Sequence, residues 1–196
     1  MKFNQEVAQS RLIALIDQPA TGMGRALDMG IIEFGEPLDE PGRTSSSAFA
    51  LHINCPFRLV MDGRMLVGSE DMKWLARDVM HGFALDNDRS VYDTRVERID
   101  AVFVTSRPKV RAVNISPIGD VRLDLEDGLL VELFVASSRS SEAWRFFRRH
   151  GEHYVFPENE GGNLKFFSSS GGLCTAVASK DSDGLAEATG LGRAAA

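Results

Sequence analysis

The sequence predicts a single α+β domain: a mainly antiparallel sheet built from two Asp-Gly hairpins, with three to four helices packed on its apolar face. Apolar and polar residues alternate on both sides of Asp62-Gly63 and again around Asp127-Gly128. That is the period of half-buried strands meeting at tight turns. Elsewhere, Ala8, Leu12, Leu15 and Ile16, and later Tyr92, Val96, Ile99 and Phe103, recur at the spacing of one helix face.

Composition agrees with a globular domain. The chain has 196 residues, 43% of them hydrophobic and 26% charged. The expectation is one domain over residues 1–157, then a Gly/Ser/Ala-rich tail over 158–196 that is disordered or partly docked. A formal charge of −6 argues against a nucleic-acid backbone as partner, because no excess cations exist to displace counterions. The two cysteines, Cys55 and Cys174, lie far apart in sequence, which rules against a disulfide framework and fits a reducing cytoplasm. Met1 to Pro19 lacks an apolar run and carries Glu6, Arg11 and Asp17, unlike a signal peptide. No stretch is long enough to predict a membrane span.

Taken in order, Gln5 to Asp17 reads as a helix stopped by Pro19. Thr21 to Gly24 reads as a glycine loop, and Arg25 to Phe34 as a strand in which Gly30 marks a bulge or a close approach. Gly35 to Ser47 is polar and rich in Pro, Gly and Ser, and reads as a mobile loop. Ala48 to Ser69 is the most regular stretch. Phe49, Leu51, Ile53, Cys55, Phe57 and Leu59 occupy odd positions, and Ala48, Ala50, His52, Asn54 and Arg58 even ones. Pro56 cannot donate to a ladder, so the run divides into two strands at Cys55-Pro56. A three-residue loop, Met61 to Gly63, would pair Leu59 with Met65 and Phe57 with Val67.

Glu70 to Met80 has helical spacing, with Ser69 as N-cap, and His81 to Ser90 reads as a loop. Asp93 to Val104 is the second central helix, which Pro108 prevents from continuing. Lys109 to Ile115 is a strand. A loop of Glu126, Asp127 and Gly128 then sets Leu125 opposite Leu129 and Leu123 opposite Val131, keeping all six apolar residues of that hairpin on one face. Ser140 or Ser141 is placed to cap a short helix carrying Trp144 and Phe147, and Tyr154 to Phe156 is a last strand.

Ala50-Leu51-His52, Cys55-Pro56, Arg58, Asp62-Gly63, Val67-Gly68-Ser69 and Asp71 together resemble a pattern of uncharacterised bacterial proteins. Gly119-Asp120 and the Glu142/Trp144 segment are similar to that group as well. The resemblance covers roughly residues 5–157 and implies a bacterial cytoplasmic domain, with no activity or catalytic residue to carry over.

His52, Cys55, His150 and His153 have the spacing of two ligand pairs, but residues 52 and 55 point to opposite faces of a regular strand, so no metal is expected. Cys55 with His52 as base is a possible nucleophile; its place on the apolar face favours plain packing. Cys174 is assigned no role. Trp144, Arg145, Phe146 and Phe147, followed by Arg148 and Arg149, combine aromatic and basic residues as nucleic-acid surfaces do, but on a helix they point around the whole circumference, which makes Trp144 and Phe147 core and leaves the arginines solvated. Gly22 and Gly24 are too isolated to cradle a phosphate.

The better binding candidates are His52, Asn54, Arg58 and Asp71: polar groups on a strand face that begins with small alanines, with Asp71 brought back by the hairpin. His52, Asn54 and Asp71 can cluster only if the chain leaves the sheet at Ser69. No motif joins a nucleophile, a base and an orienting group. The functional expectation is therefore a non-enzymatic bacterial binding or interaction protein of immunity or regulatory type, with a protein partner and no cofactor. The alternative is a small-molecule binder or enzyme that uses the His52 face. Oligomeric state is open.

Overall fold

A computed structural model describes residues 3–38, 46–76, 89–139, 141–149, 151, 153–157, 166–167 and 173–174. The chain divides into two units, Met1–Gly161 and Gly162–Ala196. In the second, the described residues form one antiparallel pair, β11 (Phe166–Phe167) with β12 (Leu173–Cys174). The first is α+β with two antiparallel sheets of five strands each. Its described residues hold two α-helices, α1 (Gln5–Leu12) and α2 (Val91–Ser106), where three to four helices were expected.

The second sheet in sequence carries both Asp-Gly turns. It contains β4 (Phe57–Met61), β5 (Arg64–Gly68), β6 (Val110–Ile115), β7 (Val121–Leu125) and β8 (Leu129–Leu133), in the order β5-β4-β8-β7-β6. Val121 pairs with Leu133 and Leu123 with Val131, and all six apolar residues of this hairpin are buried. Both Asp127 (φ +58°) and Gly128 (φ +70°) adopt the left-handed conformation that closes it.

The Asp62-Gly63 register differs from expectation. Met61 pairs with Arg64, so the loop has two residues, and both Asp62 and Gly63 have positive φ, as a type I′ turn requires. Val60 pairs with Met65 but Leu59 with Val67, which leaves Leu66 as a bulge. The extra residue restores the apolar face that a plain two-residue turn would lose. Leu59 and Val67 are buried, and Met65 is 59% exposed.

The first sheet has the order β1-β2-β3-β9-β10, from β1 (Ala20–Ala26), β2 (Met29–Leu38), β3 (Ser46–Ile53), β9 (Trp144–Arg148) and β10 (His153–Phe156). Several expectations change here. The glycines of Thr21 to Gly24 lie inside β1, and the expected strand Arg25 to Phe34 is split by a turn at Leu27-Asp28. Much of the expected 35–47 loop is strand: β2 runs to Leu38, β3 starts at Ser46, and residues 39–45 lie outside the described set. Gly30 does mark a close approach. A Cβ there would stand 2.6 Å from the Phe57 ring.

The expected helix at Trp144 is a strand, because Trp144 and Phe146 face inward and Arg145 and Phe147 outward, with period two. It pairs with β3 on one side and β10 on the other. The expected helix 70–80 is a 3-10 turn over Ser69–Lys73. Asp71 captures the Gly68 amide (2.9 Å), and Ser69 is not the cap, since its hydroxyl accepts from the Phe57 amide instead. Leu75 then bridges Ser90 in extended form, and residues 77–88 lie outside the described set.

The inner faces of both sheets, α1 and α2 share one hydrophobic core. Cys55 packs in it. The indole N–H of Trp144, on the first sheet, donates to the Gly119 carbonyl beside β7 (2.9 Å). The helices also cover sheet edges, which would otherwise offer unpaired backbone groups. From α1, Gln5 and Gln9 donate to the Ile115 and Val113 carbonyls of β6. From α2, Asp100 accepts from the Met23 amide of β1, and the Tyr92 hydroxyl donates to the Gly24 carbonyl. Ser90 caps α2, with Asp93 bonding back to the Ser90 amide and to Arg25. No helix among the described residues is long and apolar enough to cross a membrane.

Candidate functional site

Because directly paired residues in an antiparallel ladder share a face, the register defines the outer surface of the first sheet. His52 pairs with Ile31 on one side and Arg145 on the other. Ala50 pairs with Glu33 and Phe147, and Phe147 and Arg145 pair in turn with His153 and Val155. Opposite Ile31 and Glu33, β1 presents only Gly24 and Gly22. The result is a sheet face with a low floor of Gly and Ala, from which charged and aromatic side chains rise on β2, β3, β9 and β10.

Phe147 lies between two imidazoles, with ring centroids 4.2 Å from both His52 and His153. The Arg145 guanidinium is 5.5 Å from the same ring. Arg145 pairs with Glu142, which also accepts from Asn54 Nδ2 (3.3 Å). Arg149 pairs with Glu33 at 2.9 Å. Glu33 also meets the Ser47 hydroxyl (3.4 Å), which bonds Thr21 Oγ1 at 2.7 Å. The Nε atoms of both Arg145 and Arg149 are buried without a hydrogen-bond partner. Such groups are costly, and the two guanidiniums are only partly satisfied.

Burial, with the Arg145, Arg149 and His153 charges, pushes the His52 pKa down to about 4. Burial and the same two arginines lower that of His153. At neutral pH both rings are uncharged. Burial pushes the Cys55 thiol up to about 12, so it is not a ready nucleophile. Among the described residues no three of His, Cys, Asp and Glu converge on a point. His150 lies outside the described residues, and the Phe147 ring stands between His52 and His153.

The four expected binding residues separate into two regions. His52 and Asn54 are joined through β9, as His52 pairs with Arg145 and Arg145 and Asn54 share Glu142. Arg58 lies on the other sheet. It bonds Glu132 at 2.6 Å, covers the Phe134 ring at 5.0 Å, and so borders a cleft of about 280 Å³ that Glu132 and Phe134 line. Asp71 does follow a chain that leaves the sheet at Ser69, but its carboxylate serves the Gly68 amide and Arg95 (2.9 Å each). Glu33, Glu142, Arg145, Phe147, Arg149 and His153 complete the face and were not among the expected residues. The only local signal for those on β9 was the apolar-polar-apolar run Trp144-Arg145-Phe146, which the outward Phe147 interrupts.

No protein family, curated protein or solved structure matches the chain.

Proposed function

We propose that the protein is a non-enzymatic interaction module that docks a protein partner on the outer face of its first sheet. The observation that supports this is the cluster of His52, Phe147 and His153, the phenyl ring tilted against one imidazole and edge-on to the other, with Arg145 beside it and Arg149 near both imidazoles. Aromatic rings and arginines are the residues that concentrate binding energy in protein interfaces. They rise from adjacent strands as a sheet face, the shape suited to another protein's surface. The uncharged imidazoles and the inert Cys55 supply no activated nucleophile. One observation favours a second reading, small-molecule binding: the cleft beside Arg58, whose 280 Å³ sits near the lower end of ligand sites at roughly 300 Å³.

The test is affinity capture from cells of the native host with the full chain, in wild-type, Phe147→Ala and Phe134→Ala forms of matched melting temperature. A partner captured by wild type and Phe134→Ala, and lost with Phe147→Ala, supports the reading. Capture that survives Phe147→Ala and is lost with Phe134→Ala moves the site to the cleft.

A further inference from the structure

The docking face differs in charge from the chain that carries it. The whole chain has a formal charge of −6, yet Arg145, His52 and His153 gather here around one phenyl ring, with Arg149 near both imidazoles. Two carboxylates, Glu142 and Glu33, face them, each bound to one arginine through a terminal nitrogen. A guanidinium has five N–H donors, so one carboxylate contact leaves donors to spare. Both imidazoles also feel the arginines as their main charged neighbours, since Arg145 and Arg149 lower the proton affinity of each.

We propose that the partner meets this face with an acidic peptide segment, whose carboxylates bridge Arg145 and Arg149 while its methylene stems lie on Phe147. The proposal rests on the reading of this face as a docking surface and names the chemistry that surface takes. The geometry suits an extended segment. Arg145, Phe147 and the following Arg149 rise along one strand at a rise of about 3.3 Å per residue, so alternate side chains of a peptide running beside it meet successive positions. Carboxylates are matched to guanidinium in charge and planar shape. Ile31 and Val155, half-buried on the flanking strands, extend the apolar strip on either side.

Binding of this kind is linked to protons. The charged groups facing His52 are Glu33 from β2, Arg145 from β9 with Glu142 just before that strand and Arg149 just after it, and His153 from β10. A bound carboxylate adds negative charge beside rings now held neutral by burial and two arginines, and so raises their proton affinity. The complex then takes up protons that the free protein does not, and affinity rises as pH falls.

The experiment titrates the full chain with an acetylated, amidated hexaglutamate peptide, with inorganic phosphate, and with hexathymidylate, at low salt. The His52 and His153 imidazole resonances report binding, at pH 7 and pH 5.5. The expected result is a saturable shift with hexaglutamate alone, at least tenfold weaker in Arg149→Lys with Arg145→Gln, and severalfold tighter at pH 5.5. In His52→Gln, which removes a titrating ring and keeps a polar side chain, the tightening between pH 7 and pH 5.5 should shrink. No shift with millimolar hexaglutamate, equal shifts with phosphate or hexathymidylate, or undiminished binding by the arginine variant overturns the proposal. If capture of a partner still requires Phe147 while hexaglutamate fails to bind, the docking face stands and the acidic chemistry falls.

Discussion

The two sheets share strand number and antiparallel sense, yet they are assembled in different ways. In the second, β4 joins β5 and β7 joins β8 through turns of two and three residues. In the first, the central pairing is β3 with β9, which brings Ile53 against Trp144 and Phe49 against Arg148 across most of the domain's length. Their outer faces differ accordingly. The second carries a ladder of exposed ion pairs, Arg58–Glu132 and Arg122–Asp124, of the kind worth little to stability. The first carries half-buried arginines, carboxylates and imidazoles drawn from four strands. Each sheet also holds one long-range pairing, β4 with β8 in the second and β3 with β9 in the first, and the candidate site lies on the latter.

The largest test of this contrast is Trp144→Ala. Trp144 is fully buried, stacks on Phe156 with centroids 4.3 Å apart, and hydrogen-bonds across to Gly119. Its loss should cost about 3–5 kcal/mol, the range for deleting a large aromatic from a core. Denaturation followed by tryptophan-independent signals from both sheets should remain one transition. Two separate transitions would show that the sheets fold independently and that this residue does not join them.

The same contrast explains what could be read in the sequence. The hairpin at Gly128 was legible because turn chemistry and alternation point to the same register over a dozen residues. The hairpin at Gly63 was legible in existence but not in register, because the bulge at Leu66 is specified by packing against β4 rather than by a residue type. In the first sheet, the turn between β1 and β2 is Leu27-Asp28, with Leu27 at φ +58°, and carries no Gly, Asn or Pro to announce it. Trp144 and Phe147 happen to be spaced like a helix face, which hid a strand whose partners lie far away in sequence. His52 was identifiable as an outward polar residue. Glu33 and Arg149 were not, since nothing local brings residues 116 apart together.

Gly30 tests the contact between the sheets from the other side. It lies on β2, and an added Cβ would fall 2.6 Å from two atoms of the Phe57 ring, which is buried against Tyr92 on α2. Gly30→Ala should destabilise by about 1–3 kcal/mol, as overpacking does. In a Phe57→Leu background the same substitution should cost less, a coupling that a double-mutant cycle measures directly. Additive costs would mean that the ring moves aside freely.

Within the second sheet, Gly63 and Gly128 have nearly the same φ, +74° and +70°, but different neighbours. A Cβ on Gly63 meets nothing within 4 Å, whereas one on Gly128 would stand 2.5 Å from Asp62 Oδ1. Gly63→Ala should therefore show backbone strain alone, about 1 kcal/mol, and Gly128→Ala about 1–2 kcal/mol. The excess should vanish when Asp62 is also changed to Ala. Equal costs in the wild-type background would show that Asp62 swings away and that strain alone decides both positions.

The smallest effect has the opposite sign, and it concerns the turn that the sequence concealed. Leu27 adopts a left-handed φ that costs an L residue with a Cβ, and its side chain is 59% exposed, so little burial offsets that strain. Its carbonyl accepts from Arg25, a contact that any residue retains. Glycine relieves the strain but adds backbone freedom to the unfolded chain, an opposing effect of roughly 0.5–1 kcal/mol. Asparagine visits the same region of φ without that entropic loss. We therefore expect Leu27→Asn to stabilise the domain by about 0.5 kcal/mol and Leu27→Gly to be close to neutral, measured as shifts in denaturation midpoint at unchanged slope. The order of the two is the discriminating result. If both substitutions lower the midpoint, the Leu27 side chain packs, and the first sheet would then owe its opening hairpin to burial rather than to a tolerated strain.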